Sequence, residues 1–190
     1  MPRGAISHEQ SMAFDKFANA FTVMTEPHRM CHDGFMFHTS GRANGIANDA
    51  SVDFIMVVPA DCYPHVQRLS LDLEAGDVDF LMYENTVVSN PGSPLPRINT
   101  NRNSSIMPAA QPYGAPTITA DGDLFHTRWA PPTGTGVGAA IGILDVTIFG
   151  EEWILAPSKT YMFRITNRTG AVLDLAYEFV WYEIGEDSEL

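Results

Sequence analysis

Positive charge is scarce in this chain of 190 residues: 11 Lys and Arg stand against 23 Asp and Glu, a formal net charge of −12. The basic residues are scattered and nowhere form a run, which excludes a protein that lies along nucleic acid, because phosphate contact needs clustered cations. Cysteine is nearly absent as well. Cys31 and Cys62 allow one bridge at most, too few for a disulfide framework, and free thiols in a reducing compartment are the expected state. Long apolar runs are missing too. The run that starts at Ile55 is broken at Pro59, far short of the roughly 20 residues that a membrane-spanning helix needs. The first ten residues, MPRGAISHEQ, carry no apolar leader segment. The expectation is a soluble chain made in the cytoplasm that engages neither membrane nor nucleic acid.

What the chain does have is the composition of a folded protein, 45% hydrophobic and 11% aromatic with 18% charged. Its length fits one domain with a terminal appendage. Near the start, Ser7 with Gln10 three residues on resembles a capping box. Phe14, Phe17 and Phe21 then follow helical spacings, with Asp15, Lys16 and Asn19 on the other side. These features predict an amphipathic helix over 8–22, ended by Pro27.

Beyond about residue 33 the period changes from 3.6 to 2. Leu69, Leu71 and Leu73 alternate with Arg68, Ser70, Asp72 and Glu74. Tyr161, Phe163 and Ile165 alternate with Thr160, Met162, Arg164 and Thr166, and Leu173, Leu175, Tyr177, Phe179 and Trp181 share one face of the last run. Further strands are predicted at 34–39, 51–58, 78–84, 124–129 and 143–149, with short ones at 116–119 and 152–155. Asp-Gly and Asn-containing turns separate them. No helical period lies between the strands to supply parallel crossovers. The fold class expected is therefore all-β, a jelly-roll-like antiparallel β-sandwich with a short N-terminal helical arm: arm over 1–30, sandwich domain over 31–190. Two long loops, 88–115 and 130–142, are expected to lack structure of their own, and loops of that length are often functional.

The motifs that could carry chemistry fail on context. The glycine-rich PTGTGVGAAIG at 132–142 lacks the lysine and following Ser or Thr of a phosphate loop. Gly134, Gly136 and Ala139 have dinucleotide-loop spacing without the flanking strand and helix. His28, Cys31, His32, Asp33 and His38 are the densest metal-capable cluster, but they match no zinc module, and hydrogen-bonded turn histidines are the simpler reading. The paired His-x-His of a metal-dependent jelly-roll enzyme does not occur, His126 stands alone, and no Gly-x-Ser-x-Gly elbow is present. Asp121 and Asp123 fit a hairpin turn. A non-enzymatic protein without cofactor or metal is expected.

One stretch remains, INTNRNSS at 98–105, where Asn99, Asn101 and Asn103 flank Thr100 and Arg102. Such side chains read sugars or backbones through paired donors and acceptors, and they also serve a loop that must turn sharply in water. The second reading is the simpler one. The stretch lies inside a longer series: His32-Asp33-Gly34, an apolar strand from Ala50 to Val58, Tyr83-Glu84-Asn85-Thr86, then Asn99-Thr100-Asn101-Arg102-Asn103-Ser104-Ser105. Pro116 to Gly122, a glycine-rich loop, Glu152 to Leu155 and Tyr161 to Asn167 complete it. Over roughly residues 32 to 182 this order resembles a group of tailed-bacteriophage virion structural proteins. The resemblance implies a capsid decoration, or cement, protein: a jelly-roll homotrimer on the capsid surface of the virion that bridges major capsid protein subunits. Phe14, Phe17, Phe21, Asn101, Arg102 and Asn103 would then be its contact residues. The alternative is a tail or receptor-binding component with a carbohydrate-binding β-sandwich, using Tyr113 and Trp129 as platforms near the 98–115 loop.

Overall fold

A computed structural model describes residues 11–15, 20–73, 76–131, 142–147 and 152–184. The chain begins with a hairpin, β1 (Ser11–Asp15) and β2 (Ala20–Met24), followed by helix α1 (Glu26–Asp33). Long strands come next: β3 (Met36–Ile46), β4 (Ser51–Val57), β5 (Tyr63–Leu73) and β6 (Val78–Glu84). A series of short strands intervenes: β7 (Val87–Asn90), β8 (Ser93–Pro94), β9 (Ile98–Asn99), β10 (Gln111–Gly114) and β11 (Thr117–Ala120). The chain then runs through β12 (Asp123–Ala130), β13 (Gly142–Thr147), β14 (Trp153–Ile154), β15 (Thr160–Asn167) and β16 (Leu173–Ile184).

Among the described residues the two main sheets are antiparallel, with the orders β13-β5-β16-β3-β9 and β12-β6-β15-β4-β10-β8; β14 adds to β5 beyond β13, and β1-β2 and β7-β11 form separate two-stranded sheets. Taking the eight long strands alone, the orders β3-β16-β5-β13 and β4-β15-β6-β12 are those of a jelly roll, in which two Greek keys wrap one core. The expected fold class is therefore observed. The alternation that predicted it is the alternation that is buried: Leu69, Leu71 and Leu73 face inward with Leu173, Leu175, Tyr177, Phe179 and Trp181, while Asp72 and Asp174 face water. Phe163 of one sheet meets Phe179 of the other edge-to-face, with ring centroids 4.9 Å apart. Trp181, Phe37, Phe80 and Met82 are almost wholly enclosed. Each such side chain contributes about 1.5–3 kcal/mol by leaving water.

Two expectations need correction. The helix predicted over 8–22 is absent among the described residues: Ser11–Asp15 and Ala20–Met24 are antiparallel strands, with Phe14 paired to Phe21. A spacing of seven is two helical turns, but it is also the separation of cross-strand partners flanking a short hairpin connection, so the pattern was ambiguous. Phe17 lies outside the described residues. The helix that does form, Glu26–Asp33, holds Pro27 in its first turn instead of ending there, because proline in the first turn forfeits no hydrogen bond. It closes at Gly34, whose φ of 83° is the left-handed cap conformation. Met30 is its buried residue, and the helix packs on β3 and β16 while running across the boundary expected at residue 30.

The second correction concerns the 88–115 loop. It leaves β6 through β7, adds β8 and β10 beside β4 and β9 beside β3, then returns through β11, which pairs with β7. Its short strands thus cover the β3 and β4 edges of both sheets, one way of protecting edges from unwanted pairing. Most of the other expected loop, 130–142, lies outside the described residues.

Candidate functional site

The stretch INTNRNSS sits where β9 meets the end of α1, and its polar atoms are engaged with the protein itself. Asn99 is 5% exposed. Its Nδ2 donates to Gly34 O (2.7 Å) and Ile106 O (3.0 Å), and its Oδ1 accepts from Asn101 N (2.9 Å). Asn101 repeats the pattern one step on: Nδ2 donates to His32 O (2.8 Å), and Oδ1 accepts from Asn103 N (3.1 Å). Ser104 N donates to Asn101 O (3.0 Å), Ser104 Oγ accepts from Ile106 N (3.1 Å), and Thr100 N donates to Met36 O (2.9 Å). Successive Asx turns thus bind the loop to the carbonyls at the helix C-terminus, groups the helix itself leaves unpaired. Gly34 is needed twice over. Its φ is positive, and a Cβ there would lie 2.4 Å from Ser104 Oγ.

The far end of the loop is pinned as well. Glu183, near the end of β16, accepts from Ala109 N (2.6 Å), Ala110 N (3.0 Å) and Trp181 Nε1 (3.0 Å), and Arg97 Nη1 donates to Pro108 O (2.7 Å). Burial, with Glu183 adding to it, pushes the Cys62 thiol up to about 12, so this cysteine is an inert core group. Between the two pins the loop presents Ile106 and Met107, 37% and 60% exposed, beside Phe35 at 40%. Arg102 is exposed on the same turn. It reaches only Asn99 O, at 3.5 Å, and meets no carboxylate among the described residues. Nearby Asp33 is held by Arg29, which also holds Glu26.

A second apolar surface lies at the opposite edge of the sandwich. In β12 every residue except His126 and Ala130 is exposed, and Leu124, Phe125, Trp129 and Ile154 of β14 are large apolar groups in water. The ladder with β6 is bulged at Phe125. The bulge turns this ring toward Trp153 and Tyr161, edge-to-face at 6.2 and 6.1 Å. His126 meets Trp153 at 4.6 Å and its Nε2 has no hydrogen-bond partner among the described residues; burial, then Arg128, holds its pKa below the ordinary value. Acidic groups surround the strip. Asp121 is paired to Arg164, Glu84 to Lys159 and Asp79 to Arg168, while Asp123 accepts from Asn85 Nδ2 (2.7 Å) and interacts electrostatically with Lys159.

A third polar cluster joins β5, β14 and β16. Glu152 accepts from His65 Nδ1 (3.0 Å), Gln67 Nε2 (2.6 Å) and Tyr182 OH (2.8 Å), and the His65 and Tyr182 rings stack at 4.5 Å. The His65 bond, followed by those from Tyr182 and Gln67, holds the Glu152 carboxyl below its ordinary range against the opposing effect of burial. The arrangement staples β14 to the sheet. His28 and His32 stack on one face of α1, with their Nε2 atoms 2.8 Å apart, and Cys31 and Cys62 are free thiols. No three His, Cys, Asp or Glu side chains converge among the described residues. Between the sheets lies a small apolar cavity of about 30 Å³, lined by Thr39, Leu71, Phe80 and Tyr177 among others.

Of the residues singled out from sequence, Asn101 and Arg102 share one turn with Asn103, while Phe14 and Phe21 are hairpin partners. Tyr113 and Trp129 are not brought together: β10 and β12 are separated by three strands. The apolar groups Phe35, Ile106, Met107, Leu124, Phe125 and Ile154 were not singled out. Ile106-Met107 inside a polar loop was the one readable signal. No helix among the described residues is long and apolar enough to cross a membrane. No family model matches the chain, and no curated protein matches its sequence.

Proposed function

We propose that the protein is a non-enzymatic structural component of a tailed-bacteriophage particle, a capsid decoration protein that bridges major capsid subunits and assembles as a homotrimer. The observation that carries this reading is the pair of apolar surfaces at opposite edges of one stiff jelly roll. A clamp needs two contact faces held at a constant distance, and exposed apolar clusters normally mark contact faces. The asparagine turn supports the reading differently from a ligand site. Its side chains fasten Ile106 and Met107 in place, so the surface is ordered before any partner arrives, which lowers the cost of binding. An acidic surface also keeps such a protein off packaged nucleic acid.

The test is attachment to particles. Purified protein is added to heads that lack it, and bound copies are counted by quantitative mass spectrometry. A copy number comparable to that of the coat subunits, with heads that withstand more heat, is the expected result. Attachment confined to a few copies at one vertex, or none, overturns it.

A further inference from the structure

Asn44-Gly45 is the one Asn-Gly pair in the sequence. It forms a bulge near the end of β3. On β16 the ladder passes from Leu173, opposite Ile46, to Leu175, opposite Ala43, so Asn44 and Gly45 together face Asp174. Gly45 takes a φ of 71°, in the left-handed region that favours glycine, and the space where a side chain would stand is open. Its N–H leaves the ladder and donates to Asp174 Oδ1 (2.7 Å). Asn44 is exposed, and its amide makes no hydrogen bond among the described residues. We propose that Asn44-Gly45 is a self-modification site, where Asn44 is converted to aspartate and isoaspartate with Asp174 as the proton acceptor.

The reaction needs a free amide, an unhindered following nitrogen and a base for its proton. Gly45 N attacks Asn44 Cγ while its proton passes to Asp174, and an N–C bond closes a five-membered ring. Asp174 then returns the proton to the departing group, the Cγ–Nδ2 bond breaks and ammonia leaves. Solvent water opens the resulting succinimide at either carbonyl, giving aspartate or isoaspartate. The bond to Asp174 lies in the peptide plane, whereas the nitrogen attacks perpendicular to that plane, so the two do not compete. The other candidates lack one requirement each. Asn48, Asn85, Asn99, Asn101 and Asn167 have their amides in hydrogen bonds. Asn90 precedes a proline, which has no N–H. At Asn103 the following nitrogen, Ser104 N, is tied to Asn101 O (3.0 Å). The product carries a new carboxylate beside Asp174, and isoaspartate adds a methylene to the β3 backbone. Neither residue belongs to the apolar surfaces described above.

The experiment incubates the full chain at mildly alkaline pH in water enriched in heavy oxygen, followed by peptide mapping. In folded wild type, Asn44 should convert ahead of every other described asparagine. Its peptide should gain the heavy oxygen and split into aspartate and isoaspartate forms. Asp174→Asn keeps a side chain of the same shape without the carboxylate. It should slow the conversion at least several-fold, since a positioned general base contributes roughly 10²–10⁴-fold in evolved sites and less where it is exposed. The same two proteins are compared in urea, where Asp174 no longer sits on Gly45 N. There their rates should be equal, an outcome that a merely structural role for Asp174 would not give. Three results each overturn the proposal: Asn44 that persists in the folded chain while it converts in urea, a folded Asp174→Asn variant as fast as wild type or faster, or a rate difference that survives in urea.

Discussion

Asn99 and Asn103 are the same residue type four positions apart in one turn, and the fold treats them oppositely. Asn99 is 5% exposed and makes three hydrogen bonds through its side chain, to Gly34, Ile106 and Asn101. Asn103 is exposed and takes part through its backbone N–H. Asn99→Ala strips a partner from the buried Gly34 carbonyl and from the part-buried Ile106 carbonyl and Asn101 N–H, and a buried group costs about 1–3 kcal/mol when left unpaired. With partial rescue by water, the loss of unfolding free energy should be about 2–4 kcal/mol, read by urea titration. Asn103→Ala should stay within about 0.5 kcal/mol of wild type, as exposed substitutions do. Equal effects at the two positions would show that the turn is not built on Asn99. The distinction is invisible in the sequence: three asparagines at alternate positions look alike until β9 pairs with β3 and carries one of them under the loop.

The long strands were legible because one burial rule acts on both the pattern and the structure. The alternation of Leu69, Leu71 and Leu73, and of Leu173 through Trp181, is the core face of β5 and β16. The short elements were not legible. β9 has two residues and β10 has four, with no periodicity to read, and each exists because the edge beside it offers unpaired backbone groups. The hairpin β1–β2 failed for another reason, since its aromatic spacing satisfies helix and hairpin alike. Among the described residues it pairs with neither main sheet. A two-stranded hairpin without further support is marginal in water, so the sandwich should not depend on it. Removing residues 1–24 is expected to shift Tm by no more than about 4 °C, equivalent to about 1 kcal/mol for a chain of this size. The same truncation should weaken attachment to particles if Phe14 and Phe21 serve a neighbouring subunit. A larger fall in Tm, measured by calorimetry, would place the hairpin within the cooperative unit of the fold.

Across the whole molecule, charge acts in two opposing ways as pH falls. With a net charge of −12 at pH 7, protonating exposed carboxylates relieves repulsion among them, which favours the compact state. Glu152 works in the other direction. Its folded pKa lies below the ordinary carboxyl value, chiefly through the His65 bond. The native state therefore favours the ionised form. That contribution is complete above the unfolded pKa of about 4.3 and is lost as pH falls through the lower folded value. Because Glu152 ties His65 and Gln67 of β5 to Tyr182 of β16, its protonation loosens the seam where β14 joins the sheet. Comparing Tm of wild type and Glu152→Gln from pH 7 to pH 3 separates the two effects, since general repulsion is nearly common to both proteins. The variant should be less stable at pH 7, and the gap should narrow below about pH 4.3 as the wild-type carboxylate gains its proton. A gap that stays constant across the range would mean that packing at this position matters and the carboxylate charge does not.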